Sequence, residues 1–311
     1  MPGRRTDWRG VFAVAATPFT PEGEVDEAAF CALMRTLVED GVQGIVVAGS
    51  TGEWYTMRDH ERRRLFELAR EQVGGRVRLI AGTSAIATRD AAALTRTARE
   101  LGYNGAMVLA PPYALPNERE ILGHFEAVAA VGLPLMVYNN PGRTQVNLTA
   151  SVIDRLCAFE SVVALKDSSK DLYQLGQTLR MVGDRLAVFC GLEPYLLPMV
   201  QRGAVGVVSM SINIIGRDAV TLFEHLAAGR FAEARPLEAV IDRLYEAFYL
   251  GGGGAYVVIK ECMNLVGRPA GWPRRPHLPM DDRERRRLAG ILEEIGVLGS
   301  GAGDRDGRAA E

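Results

Sequence analysis

Short apolar runs alternate with longer segments whose apolar residues recur at helical spacing, and this alternation persists along most of the chain. The short runs are Val11–Ala16, Gly44–Ala48, Arg78–Ala81, Ala106–Leu109, Leu135–Tyr138, Val162–Leu165, Leu186–Phe189 and Val205–Val208. Several of them, such as Gly44-Ile45-Val46-Val47-Ala48, are apolar without a break. That suits a strand of a parallel sheet covered by helices. Helical patterns fill the gaps: Glu27–Glu39, Arg58–Val73, Arg89–Leu101, Glu118–Val131, Ala150–Phe159, Leu172–Val182, Pro194–Arg202 and Arg217–Ala228. Eight strands, each followed by a helix, predict an α/β fold of the (β/α)8 (TIM) barrel type over residues 1–228. Further helical stretches at Phe231–Tyr249, Tyr256–Val266 and Asp282–Ile295 predict a C-terminal helical region over 229–298. Residues 299–311 are nearly free of hydrophobes and are read as a disordered tail. The competing architecture, an open doubly wound sheet, usually carries a phosphate-binding glycine loop after its first strand. Here that strand runs into Ala16-Thr17-Pro18-Phe19 instead.

Composition narrows the partners. The 311 residues, 48% of them hydrophobic, suffice for one barrel of about 250 residues and an appendage. A formal charge of −2 and the lack of an aromatic-basic motif give no reason to expect a nucleic-acid partner. No run approaches the ~18 apolar residues of a membrane span, so no membrane partner is expected. Arg4-Arg5 and the apolar run after it mimic a signal sequence. The run is short and soon meets Pro18 and Pro21, so it reads as a first strand. The four cysteines, Cys31, Cys157, Cys190 and Cys262, stand apart among apolar neighbours and read as buried free thiols. The expected location is the cytoplasm. The four histidines are scattered, which predicts no metal site.

Barrel enzymes keep their chemistry at the C-terminal ends of the strands. Strand two leads into Gly49-Ser50-Thr51-Gly52-Glu53, a loop of hydroxyls that either receives a carboxylate or merely caps the next helix. Strand four leads into Pro111-Pro112-Tyr113, a stiff loop carrying a phenol. Strand five ends in Tyr138, a proton relay if it points into the barrel mouth, with Arg143 a few residues beyond. Arg143 either meets an acidic substrate or pairs with an acidic side chain of its own protein. Strand six ends in Lys166, behind four apolar residues. The chain has only two other lysines, Lys170 and Lys260, of which Lys170 reads as solvated on a helix face and Lys260 as snorkelling. Desolvation at a strand end lowers an amine's pKa and favours a nucleophile able to form a Schiff base. Strand seven ends at Gly191, which lets a ligand approach the backbone, and strand eight offers the Val208 carbonyl or the Ser209 hydroxyl.

Together these residues resemble the dihydrodipicolinate synthase / N-acetylneuraminate lyase family. The matching pieces are G-S-T-G-E at Gly49–Glu53, Pro112-Tyr113, Y-N-x-P at Tyr138–Pro141 and A-L-K-D around Lys166, in the family's order, and the likeness runs from about Val11 to Pro279. The resemblance implies a pyruvate-dependent class I lyase. Lys166 looks like the imine-forming lysine and Tyr138 like the proton donor and acceptor. Ser50 and Tyr113 look like its relay partners, Tyr113 by analogy from a neighbouring subunit. Thr51 resembles the residue that holds the pyruvate carboxylate, and the Val208 carbonyl a substrate contact. Arg143 resembles the arginine that binds the aldehyde's carboxylate in synthase members. Members are usually homotetramers, dimers of dimers, and need no metal or organic cofactor.

The departures concern the second substrate. Trp54-Tyr55 is bulkier than usual after the G-S-T-G-E loop, Ser50 replaces a threonine, and Pro112 replaces the first tyrosine of a Tyr-Tyr pair. Gly251–Gly254 with Ala255-Tyr256 replaces an Asn-Pro-rich loop, and Lys166-Asp167-Ser168 is nearer to some keto-acid aldolases. Arg143 favours a synthase using an aldehyde such as aspartate semialdehyde. The alternatives are an aldolase or dehydratase of a 2-keto-3-deoxy sugar acid or 4-hydroxy-2-oxoglutarate, and a non-catalytic barrel that binds a small acid.

Overall fold

The eight apolar runs form eight parallel strands: β1 (Gly10–Val14), β2 (Gly44–Val47), β3 (Arg78–Gly82), β4 (Gly105–Leu109), β5 (Leu135–Asn139), β6 (Val162–Asp167), β7 (Ala187–Cys190) and β8 (Gly206–Ser209). Each pairs with the next, and β8 closes on β1 with Gly10 opposite Gly206 and Ala13 opposite Ser209. The structure, a computed structural model, describes residues 5–250 and 254–298. The tail expected at 299–311 therefore lies outside the described residues.

Around the strands lie α1 (Glu27–Glu39), α2 (Asp59–Val73), α3 (Thr88–Glu100), α4 (Glu118–Ala129), α5 (Ala150–Leu156), α6 (Leu172–Val182), α7 (Leu196–Gln201) and α8 (Arg217–Ala227). The periodicity places α1 and α6 to the residue. The helix expected over Pro194–Arg202 is divided into a 3-10 turn, Glu193–Tyr195, and α7. Short helical turns at Pro141–Thr144 and Ile212–Ile215, each only four residues long, carry too little pattern to be predicted. Three helices follow the barrel: α9 (Phe231–Ala247), α10 (Ala255–Leu265) and α11 (Asp282–Glu294). Among the described residues no helix is long and apolar enough to cross a membrane. All four cysteines are free; Cys157, Cys190 and Cys262 are buried as expected, whereas Cys31 is half-buried.

The alternation of side chains across each strand separates two cores. Val11, Ala13, Ile45, Val47, Val137 and Leu165 point outward into a layer shared with the helices. Phe12, Val14, Val46, Ile80, Met107, Met136, Tyr138, Ala164, Phe189 and Val208 fill the barrel, with the Phe12 and Phe189 rings 4.9 Å apart. One irregularity sets the phase of β6. Leu135 pairs with Val162 but Met136 pairs with Ala164, leaving Val163 as a bulged residue. Val162 packs outward, and both Val163 and Ala164 face the interior. The extra residue shifts the two-residue period by one, which turns Leu165 outward and Lys166 inward.

A buried ion pair ties the C-terminal helices to the barrel mouth. Lys260 of α10 lies 2.5 Å from Glu53 in the loop after β2, with side-chain exposures of 1% and 0%. Its Nζ donates to the Trp272 carbonyl at 2.7 Å and sits 4.3 Å from the centre of the Phe19 ring. Lys260 is thus not the snorkelling lysine its flanking residues suggest, because its head group finds a carboxylate inside the protein before it reaches water. Burial brings the amine down to about 8, against the opposing pull of Glu53. Breaking such a pair leaves one charge stranded. Lys260→Met is expected to destabilise the protein by about 3–5 kcal/mol. Glu53→Gln in the same chain is expected to recover part of that loss. Denaturant unfolding of the single and double variants beside the unsubstituted protein checks both outcomes; full stability in Lys260→Met alone would show that Glu53 is satisfied without it.

Candidate active site

Lys166 and Tyr138 are opposite one another on β6 and β5, and both are buried. The Lys166 Nζ lies 4.1 Å from the centre of the Tyr138 ring. Burial lowers the amine to about 8, with Glu193 pulling the other way. The Tyr138 phenol is raised by burial, an effect partly offset by Ser168 and Asn140 beside it. Asn140 donates its Nδ2 hydrogen to the Tyr138 oxygen at 2.7 Å. Asn139, one residue earlier, braces the strand end. Its side chain donates to Asp167 at 3.1 Å and accepts from the Leu148 amide at 3.0 Å. Asp167 in turn accepts from the Ser169 hydroxyl at 2.6 Å, which fixes the turn that leaves β6. The following helix α6 starts where the Asp171 carboxylate accepts from the amides of Tyr173 and Gln174, each at 2.9 Å.

Gly191 is required sterically. A Cβ there would stand 2.0 Å from the Ser168 Oγ and 3.0 Å from the Lys166 Cε. Behind it, Glu193 accepts from the Ser209 hydroxyl at 2.6 Å, from the amides of Met210 and Ser211 at 3.1 and 2.9 Å, and from the Tyr245 phenol. The Ser209 hydroxyl also accepts from the Ile212 amide at 3.0 Å. Ser209 therefore holds Glu193 in place. Val208 is fully buried beside β1, opposite Phe12.

A cleft of about 570 Å³ opens above this floor, lined among others by Tyr138, Asn140, Arg143, Ser168, Gly191, Met210, Tyr249 and Tyr256. Ser50 and Thr51 are buried in the loop after β2, whose end is closed by the Glu53 amide donating to the Ser50 carbonyl at 3.0 Å. Arg143 is exposed, and its guanidinium carbon lies 4.9 Å from the centre of the Tyr256 ring. Among the described residues no carboxylate lies within ion-pair distance of Arg143, so its pairing with an acidic chain of its own protein is not found. Burial pushes the Tyr256 phenol up to about 12, an effect that Ser50 and Arg143 near it partly offset. Tyr113 stands apart: it is 89% exposed, on left-handed backbone with φ of 70°. Lys170 is exposed as expected but belongs to the turn before α6, at φ of 66°, and not to a helix face. Among the described residues no three His, Cys, Asp or Glu side chains gather as a metal would require.

Residue patterns alone do not bring forward Asn140, Ser168, Glu193 and Tyr256. The first two adjoin Tyr138 and Lys166 in sequence, a signal that could have drawn notice. Glu193 and Tyr256 reach the site only through tertiary packing.

Fold and cleft define a class: a (β/α)8 barrel with a desolvated amine beside Tyr138, which lines one opening together with two further tyrosines and a guanidinium. The sequence model of the Dihydrodipicolinate synthetase family matches residues 7–295, and the chain belongs to that family. It is a lyase of that family. An "Uncharacterized DapA-like lyase" of Rhizobium meliloti is 45% identical over 290 residues, covering 93% of this chain and 95% of that protein. A 4-hydroxy-tetrahydrodipicolinate synthase of Geotalea daltonii is 34% identical over 292 residues, covering 94% and 100%. YagE of E. coli, a prophage protein belonging to the dihydrodipicolinic acid synthase family and solved in complex with pyruvate, superposes with a TM-score of 0.90. It is 26% identical, covering 94% of this chain and 100% of that one.

An amine brought down to about 8 reacts as its neutral form at a lower pH than an ordinary lysine, whose pKa is about 10.4. The rate at which a small acylating reagent modifies Lys166 is expected to rise with a midpoint near pH 8. Peptide mass spectrometry across a pH series reads this site by site; a midpoint near 10 would show that the amine is solvated.

Proposed function

We propose that the chain is a Schiff-base lyase in which Lys166 forms an imine with pyruvate. The observation that carries this reading is the buried Lys166 amine, lowered to about 8, beside the buried Tyr138 phenol. The neutral amine attacks the ketone carbon. Tyr138 gives its proton to the departing hydroxyl, water leaves, and the iminium forms. The iminium is an electron sink, so a methyl proton returns to the Tyr138 oxygen and an enamine results. That carbon then attacks an aldehyde; run in reverse, the same step cleaves a 4-hydroxy-2-oxo acid. The imine supplies the electron sink itself, and the reaction proposed here uses no metal or organic cofactor. Thr51 holds the pyruvate carboxylate, with the Val208 carbonyl and Gly191 against the substrate. Ser50 and Tyr113 are relay partners of Tyr138. The exposure of Tyr113 supports its reaching a neighbouring subunit of a homotetramer.

For the second substrate we infer an aldehyde bearing a carboxylate, such as aspartate semialdehyde, held by Arg143. A guanidinium at the cleft with no carboxylate partner among the described residues supports this. The cleavage of a hydroxylated keto-acid is the second reading. It is favoured by the hydroxyls of Ser168, Ser169, Tyr249 and Tyr256 along the same cleft.

Borohydride in the presence of pyruvate is expected to fix a reduced pyruvate adduct on Lys166. An adduct on Lys170 or Lys260, or none, would refute the imine and favour a barrel that only binds a small acid. Arg143→Lys separates the two acceptor classes, because it keeps the charge and loses the fork that pairs both oxygens of a carboxylate. A charge-assisted hydrogen bond of about 1.5–3 kcal/mol corresponds to a fall of roughly 10- to 150-fold in kcat/KM for a carboxylate-bearing aldehyde. Imine formation is expected to persist. A change under about threefold across a panel of acidic aldehydes would favour the hydroxylated keto-acid instead.

A further inference from the structure

Tyr256 enters the cleft from α10, far along the chain from the strand ends. It is 5% exposed, it lines the opening together with Tyr138, and its ring lies under the Arg143 guanidinium, 4.9 Å from the ring centre. The Tyr55 ring packs 6.4 Å from it on another side. Ser50 and Arg143 lie near enough to its hydroxyl to favour the charged form. We propose that Tyr256 is a further phenol of the proton relay beside Tyr113, supplied by the same chain as Tyr138 and Lys166, and that it takes up the negative charge Tyr138 acquires when the imine forms. This rests on the imine reading given above.

The proton count closes. When the carbinolamine loses water, the C–O bond breaks and the Tyr138 proton goes to the departing oxygen. The iminium then carries one positive charge and Tyr138 one negative charge. Transfer of the Tyr256 proton to Tyr138 restores the Tyr138 phenol and leaves the phenolate on Tyr256. There the Arg143 charge and the Ser50 hydroxyl hold it. The methyl C–H bond then breaks, its electron pair forms the enamine double bond, and the proton returns to Tyr256 by way of Tyr138. Negative charge on either phenol raises the other, so the pair holds one negative charge and not two. An arginine stacked on the ring is the cation such a phenolate needs. Arg143 then serves the first half-reaction as well as the acceptor, through Tyr256.

Tyr256→Phe tests this, because it keeps the ring on which Arg143 and Tyr55 pack and removes only the hydroxyl. The readout is exchange of the pyruvate methyl protons for deuterium, followed by NMR in D2O. It requires the enamine and no aldehyde. Borohydride trapping on Lys166 is measured in parallel. The expected result is an adduct at the unsubstituted level with exchange slowed about 10²-fold, the scale of a lost acid–base group, and an altered pH dependence of exchange. Exchange within twofold of the unsubstituted protein, with the adduct intact, overturns this inference alone. So does slowed exchange in Tyr113→Phe with none in Tyr256→Phe, which would place the relay outside this chain. Absence of the adduct in the unsubstituted protein overturns the imine reading and this inference with it.

Discussion

The site depends on keeping water away from one amine. Lys166 sits at the end of a strand inside a packed barrel, and the lost hydration of its ammonium brings it down to about 8. Every neighbouring feature serves or tolerates that burial. Tyr138 supplies a ring face 4.1 Å away, which accepts either charge state of the amine at little cost. Gly191 leaves room for the lysine's Cε where any side chain would collide. Glu193 is the counterweight. Its carboxylate favours the ammonium, but four donors from Ser209, Met210, Ser211 and Tyr245 occupy it. The amine is thus neither neutralised outright nor locked into an ion pair.

The two inward lysines show how similar burial yields different outcomes. Lys260 is also brought down to about 8 by burial. It faces Glu53 at 2.5 Å and the Trp272 carbonyl, so its hydrogens are spoken for. Glu53 also accepts from the Arg274 amide at 3.0 Å. The pair fixes the loop that carries Ser50 and Thr51 to the segment after α10. Helix α10 also carries Tyr256. The C-terminal helices are therefore part of the site's construction and not an appendage to the barrel.

Strand identity is legible because a parallel barrel favours short apolar runs, and the chain has eight, several of them unbroken. Lys166 stood out through its rarity and its place behind four apolar residues, and Tyr138 through its strand-end position. The boundaries drifted by a residue or two, since Gly105, Asn139 and Asp167 are strand residues whose types suggest turns. Tyr256, Glu193 and Asn140 were hidden for a different reason. Each is ordinary in its local context and acquires meaning from what it meets across the fold. Ser209, read from its strand-end position as a ligand contact, also engages Glu193 across the fold. Lys260 reads as snorkelling because its local apolar run gives no hint of the carboxylate 207 positions earlier in the chain.

The bulge at Val163 has a consequence for how this site tolerates change. Substitutions along β6 alter one contact each, and a barrel absorbs many of them. A slip of register along the strand is of another kind. Pairing Val163 with Met136, so that the bulge closed with every residue kept, would leave the composition unchanged, yet it would send the amine into the helix layer and turn Leu165 inward. The reactive group is thus specified by counting as much as by chemistry, and the residue that does the counting is a valine with no polar atom in its side chain.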